Sequence, residues 1–496
     1  MNNKFDELTK SLAQSVTRRA ALKRLSAGLA AIALACLGAM PTATLASTLG
    51  PLIELSQPNP VGTCDDGFRI PGITLNDTFE PYVTVNPRNP NNVVATWTLG
   101  PIQNVVAGVS FNGGRTWQQI PLPLTLCSGG PYVGAGDPWL SFAPNGDLYA
   151  INLAGSSPST AISTVVKSTD GGLHWSVPAL LTSSTDLTPG RPTITVDSTN
   201  ARFVYAFWHG EGLNNTLPAV FSRSTNGGVT WEPPHRIYEP GSNRGADFGQ
   251  AFALPDGSVV ALLYDFGFKN TKPQGVQVLR STDHGQTWSG PIGGFAMLPL
   301  SFENWGFSSI IDPETGIYVH DPTDPMLAMD SRNGDLYAVW EDGRFSNFQY
   351  NDIAFSRSVD GGVTWSTPVR VNQTPVGIPL LNRQAFLPAI AVQDNGTIGV
   401  SYYDFRFNEA NPGLPTDYWM VRCDASNVSP TDSANWGGEI RVTEASFDLE
   451  HSINFQGYFL GDYVGGLAPS GKGFVAVFTG VNGNNIQSIF ARRIGD

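Results

Sequence analysis

From residue 80 onwards, apolar and polar residues alternate in short runs, and the runs recur down the chain. Asp335-Leu336-Tyr337-Ala338-Val339-Trp340 has the period of two that predicts a β-strand with its side chains split between two faces. Turn sequences such as Pro144-Asn145-Gly146, Pro255-Asp256-Gly257 and Asp394-Asn395-Gly396 separate paired runs and predict hairpins. One pairing repeats seven times: a short strand, often opened by an acid or arginine before proline, then a turn and an aliphatic strand. The copies run from Glu80-Pro81 to Trp97, Asp137-Pro138 to Ile151, Arg191-Pro192 to Trp208, Asp247 to Tyr264, Asp324-Pro325 to Trp340, Leu387-Pro388 to Tyr403, and Asp462 to Phe478.

A second repeat interleaves with the first. Five segments read Ser-x-Asp/Asn-x-Gly-x-Thr/His-Trp, beginning at Ser110, Ser168, Ser224, Ser281 and Ser358 and ending at Trp117, Trp175, Trp231, Trp288 and Trp365. Their starts lie 58, 56, 57 and 77 residues apart, and a degenerate sixth copy is expected between Asp424 and Trp436. The Asp or Asn side chain can cap backbone N–H groups of its own turn, glycine accepts φ > 0, and tryptophan wedges between neighbouring sheets. This motif resembles the Asp-box (BNR) repeat of the sialidase-like β-propeller superfamily.

The resemblance implies an all-β fold over residues 47–496: one propeller of four-stranded blades, with seven expected and six the alternative. The seventh unit stops after its third strand near Phe490, so Pro51-Leu52-Ile53-Glu54-Leu55 is expected to supply the missing edge.

The first 46 residues read as an export signal. Thr17-Arg18-Arg19-Ala20-Ala21-Leu22-Lys23 is a twin-arginine pattern, followed by an apolar run from Leu25 to Leu37 and a cleavage site after Thr44-Leu45-Ala46. The run is shorter than the roughly 20 residues a membrane helix needs. A lipid anchor at Cys36 is the minor alternative. A periplasmic or secreted monomer is expected, with no membrane insertion. Beyond residue 46 the chain carries 23 basic against 40 acidic side chains, which disfavours nucleic acid and anionic membrane as partners. Cys64, Cys127 and Cys423 are too few for a disulfide framework or zinc knuckle, although a Cys64–Cys127 bridge is possible. No cofactor or metal cluster is called for; a structural calcium ion in the acidic ring is left open.

In the propeller that the resemblance implies, function belongs to the loops just before each first strand and just after each second strand. Those positions hold Glu80, Asp137, Arg191, Asp247, Asp324, Arg383 and Asp462, and then His209, Glu211, Tyr264, Asp265, Glu341, Asp342, Arg344, Tyr403, Asp404 and Arg406. The inter-blade stretch from Gly290 to Thr323 is about 34 residues long, and 405–417 and 443–461 are extended too. These insertions carry Trp305, Tyr318, His320, Glu450 and His451.

Sialidase-like chemistry implies an arginine cluster, a Tyr–Glu nucleophile pair and an aspartic acid/base. Arg191, Arg344, Arg383 and Arg406 are the candidates for the clamp. Tyr403 or Tyr264 beside Glu341, with Asp137, are the candidates for chemistry. The string Phe68-Arg69-Ile70-Pro71 matches the superfamily's Arg-Ile-Pro signature, although the first strand begins later, at Glu80. The leading expectation is an exo-glycosidase acting on terminal, possibly acidic, sugars. A polysaccharide lyase with His209 or Tyr264 as base is the second reading, and a non-catalytic carbohydrate- or protein-binding propeller the third.

Overall fold

A computed structural model describes residues 48–64, 72–101, 104–157, 161–181, 189–210, 215–268, 274–300, 310–312, 314–320, 323–409 and 412–495. The expected twin-arginine signal, Cys36, Phe68-Arg69-Ile70-Pro71 as a whole, Glu211 and Trp305 lie outside the described residues. Among the described residues no helix is long and apolar enough to cross a membrane.

Among the described residues, seven sheets repeat one antiparallel meander of four strands, each strand hydrogen-bonded to the next. Their first strands are Thr78–Asn86, Gly134–Phe142, Gly190–Val196, Arg244–Ala253, Met326–Met329, Ala385–Val392 and Leu467–Ser470; we number the sheets 1 to 7 in that order. In sheet 6, Phe447–Asp448 adds a short pairing to the third strand. Each sheet packs on the next in chain order, and the first strand of sheet 1 packs on sheet 7. The architecture is a β-propeller.

The alternation in sequence has a particular physical meaning here. Leu336–Asp342 is buried along its whole length, because both faces of the sheet meet neighbouring sheets rather than one meeting water. Trp97, Trp208 and Trp340, on the second strands of sheets 1, 3 and 5, are fully buried in these interfaces. The outermost strands, such as Gln118–Pro121 and His235–Tyr238, are exposed or half-buried. The Ser-x-Asp/Asn turns close as their chemistry requires. Asn112 Oδ1 accepts from the N–H groups of Arg115 and Thr116, Ser110 Oγ accepts from Gly114 N–H, and Trp117 Nε1 donates to Gly114 O.

Sheet 7 takes its fourth strand from the other end of the chain. Ile53 pairs with Ala491 and Glu54 with Phe490, and Leu55 N–H donates to Ile489 O at 2.7 Å. Cys64 and Cys127 form a disulfide, and Cys423 is a buried free thiol.

The first strands carry one further repeated feature. Glu80, Asp137, Arg191 and Leu387, each before a proline, have φ of +56°, +51°, +45° and +46°. The pairing register shifts at each of them. A left-handed non-glycine residue costs about 1 kcal/mol, and a bulge of this kind re-aims its side chain. Ahead of sheet 7, Gly461 has φ +131°, and a Cβ there would come within 2.7 Å of the Glu80 backbone nitrogen. Both the positive φ and this close approach to the Glu80 backbone favour glycine at that point.

Candidate functional site

The bulges bring charged side chains from sheets 1 to 4 to one centre, where others from the segments just ahead of sheets 5 and 7 join them. Arg191 of sheet 3 stands 3.5 Å from Asp247, 2.9 Å from Asp324 and 3.2 Å from Asp462. His209 Nδ1 lies 3.0 Å from Asp247, and His320 Nε2 lies 3.2 Å from Asp462. Thr98 links the next two members: its hydroxyl donates to Glu80 Oε2 and accepts from the Asp137 N–H.

The cluster has depth. The side chains of Asp247 and Asp324 are 2% exposed, whereas Asp462 is 22%, His209 20% and Arg191 14% exposed. Asp137 is half-buried and Glu80 buried. Solvent therefore reaches Asp137, Arg191, His209 and Asp462, with Glu80, Asp247 and Asp324 beneath them.

These carboxyl groups do not share one acidity. Burial, then the charges of Asp462 and Asp247, push Asp137 up to about 6 against the pull of Arg191 and His209. Burial, helped by Asp137 and Asp462, raises Glu80 well above the usual carboxylate range. Burial also opposes ionisation of Asp462, but the Arg191 charge and the His320 hydrogen bond outweigh it and hold Asp462 well below that range. For Arg191 burial disfavours the cation, and the charges of Asp324, Asp462 and Asp247 reverse the balance. The result is an ionised carboxylate beside a carboxyl that keeps its proton in mildly acidic water, the division of labour that acid–base catalysis uses.

Of the residues singled out from sequence, Asp137, Arg191 and His209 meet at this centre. Tyr264 borders it, fully buried, with its hydroxyl 3.2 Å from Thr323 Oγ1. The other candidates have partners elsewhere. Arg344, Arg383 and Arg406 are each held by partners other than those of Arg191. Arg344 pairs with Asp342 and donates to Ala296 O. Arg406 is bound by Asp404 and Glu439 and stacks 3.6 Å over Trp419. Arg383 donates to Ile378 O and lies over Tyr350.

Tyr403 and Glu341 form no nucleophile pair. The Tyr403 hydroxyl is buried between sheets 6 and 7, donating to Thr479 O and accepting from Thr479 N–H. Glu341 is fully buried and accepts from Leu387 N–H and Asn351 Nδ2, pinning the bulge of sheet 6. Asp462 and His320 were visible in the sequence as a strand start and an insertion residue, with nothing to join them.

Among the described residues, no group of three or more His, Cys, Asp or Glu side chains has the geometry to hold a metal ion. No family model matches the chain, and no curated protein does. Solved structures similar to it include a Hadza microbial sialidase, at 15% identity and a TM-score of 0.43, over 66% of this chain and 63% of that one. The chain thus spans less than two thirds of that sialidase. An α-L-arabinanase of Penicillium chrysogenum matches at 14% identity and a TM-score of 0.44, over 72% of this chain and 94% of that one. An α-L-arabinofuranosidase of Fusarium graminearum matches at 14% identity and 0.46, over 77% and 99%.

Proposed function

We propose that the protein is a glycoside hydrolase working at the axial carboxylate cluster, with Asp137 as general acid and Asp462 as the ionised partner. The observation that carries this reading is the split between two solvent-reachable carboxyl groups, one raised to about 6 and the other held low. Glycoside hydrolysis needs one carboxyl to protonate the leaving oxygen, and one carboxylate to attack the anomeric carbon or activate water. Asp137 can supply the proton. Asp462, oriented by Arg191, is the charged partner that a cationic transition state requires.

The same geometry argues for a neutral terminal sugar. Arg191 is already committed to three carboxylates, and a substrate carboxylate would enter a site of net negative charge. Sialic acid and uronate polymers are disfavoured on that ground, and the lyase reading with them. A panel of neutral and acidic aryl-glycosides tests the proposal: turnover of a neutral member, lost in Asp137→Asn and Asp462→Asn, supports it. A non-catalytic propeller is the second reading. It is favoured by the repetition of a charged residue at the axis in most sheets, which would serve equally to tie the ring together.

The twin-arginine segment supports export as part of the same proposal. Arg18 and Arg19 replaced together by Lys should hold the protein in the cytoplasm, since a receptor reads the pair rather than its charge.

A further inference from the structure

Two insertions outside the repeated sheets meet at the axis. Val319–His320, between sheets 4 and 5, pairs in parallel with Tyr458–Phe459, which pairs antiparallel with Ile453–Asn454 ahead of sheet 7. This small accessory sheet buries the His320 ring against Phe455 and Phe459, with centroids 5.8 and 4.9 Å away. Its Nδ1 is 2.8 Å from the Phe455 carbonyl oxygen, and its Nε2 is 3.2 Å from Asp462 Oδ1. The other carboxylate oxygen, Oδ2, receives Arg191. Asp462 is thus gripped on both oxygens, by the third sheet on one side and by the accessory sheet on the other.

We propose that His320 is a positioning residue for the axial reaction, through which the accessory sheet sets the orientation and charge of Asp462. The inference rests on the hydrolase reading for its catalytic meaning but not for its geometry. The Phe455 carbonyl can only accept, so Nδ1 donates there and the ring cannot turn away. Nε2 is thereby aimed at the carboxylate, and it donates to Asp462 with the ring carrying both protons. Groups facing the pair are Glu80 from sheet 1, Asp137 from sheet 2, Arg191 from sheet 3 and the neighbouring Tyr463. Removing the His320 contact leaves Arg191 as the main group opposing burial and the neighbouring acids.

Asparagine and glutamine separate the two ring nitrogens. His320→Asn keeps a donor for the Phe455 carbonyl and deletes the Asp462 contact. His320→Gln places a neutral donor where Nε2 stood. Full-length protein carrying 13Cγ-aspartate, with Asp462 assigned by the signal lost in Asp462→Asn, can be titrated from acid to neutral pH. In His320→Asn the Asp462 titration should move up by about one unit or more, and His320→Gln should move it less. If turnover is found, the acid limb of kcat/KM should move with it, while KM stays nearly constant. An Asp462 titration unchanged in His320→Asn overturns the proposal whatever the activity. Should that variant not fold, an unchanged titration in His320→Gln does the same. A shifted titration in a protein that turns over no glycoside leaves His320 in its role and removes the hydrolase reading instead.

Discussion

The axial cluster and the outer arginine pairs of sheets 5 and 6 are built from the same residue types and behave differently. Arg344 with Asp342, and Arg406 with Asp404, are paired two residues apart on a single chain segment at the end of a second strand. Each has its acid on its own sheet; Arg344 also donates to Ala296 O of sheet 4, and Arg406 is further fixed by Glu439 and Trp419. Arg191 has no such local acid; its partners come from three other points of the chain, Asp247, Asp324 and Asp462. Local pairs neutralise themselves and hold loops down. Pairs drawn from several sheets leave carboxyl groups competing for one cation, and that competition drives Asp137 and Asp462 apart in acidity. A propeller generates this at its axis because every first strand begins there, and the left-handed bulges turn the side chains inward.

The largest expected contrast is catalytic. Asp137→Asn and Asp462→Asn should each lower kcat by roughly 10²–10⁴-fold on an accepted aryl-glycoside, whereas Arg344→Ala should change it by less than about tenfold. Comparable losses in all three would erase the distinction between the two regions. The next effect is on stability. Removing residues 48–56 strips the fourth strand from sheet 7 and takes away buried Leu55 and its pairing to Ile489, which should cost roughly 3–5 kcal/mol in a denaturant titration. An unaltered midpoint would mean that the ring does not depend on this closure.

Smaller effects sharpen the comparison. Tyr403→Phe removes a hydroxyl bonded to both backbone groups of Thr479 and should cost about 1–3 kcal/mol, with turnover retained. Abolished turnover in a stable Tyr403→Phe protein would return Tyr403 to the site. The smallest is a pH effect on stability. The folded protein raises Asp137 above its unfolded value of about 3.9, so its carboxyl contributes stability below that value, and the contribution is lost as pH rises through about 6. Asp137→Asn should therefore gain thermal stability relative to the parent between pH 4 and 6, and a flat difference across that window would contradict the assignment.

The repeats made the sheets legible, because each alternating pair of strands and each Ser-x-Asp/Asn turn is a local signal. The Pro-flanked positions Glu80, Asp137 and Arg191 were legible too as recurrent strand starts. Their convergence was not, since it depends on bulges that appear in sequence only as a residue before proline. Tyr403 and Glu341 illustrate the opposite limit. In a strand of period two, neighbours such as Glu341 and Asp342 face opposite ways, and nothing in the alternation says which face is the axis when both are buried. Glu341 turns to the sheet 6 backbone, while Asp342 accepts from Trp340 Nε1. His320 lay in an insertion with no repeat to place it, and its partner Asp462 is 142 residues further on.

The most direct test of the account is the pH dependence of kcat/KM for the parent and for Asp137→Asn on one neutral aryl-glycoside. The parent should be active in mild acid and lose activity as pH rises through about 6, as Asp137 gives up its proton. The residual activity of Asp137→Asn should show no fall at that pH. An alkaline limb near 6 that persists in Asp137→Asn would show that another group donates the proton, and would contradict the assignment of the axial pair.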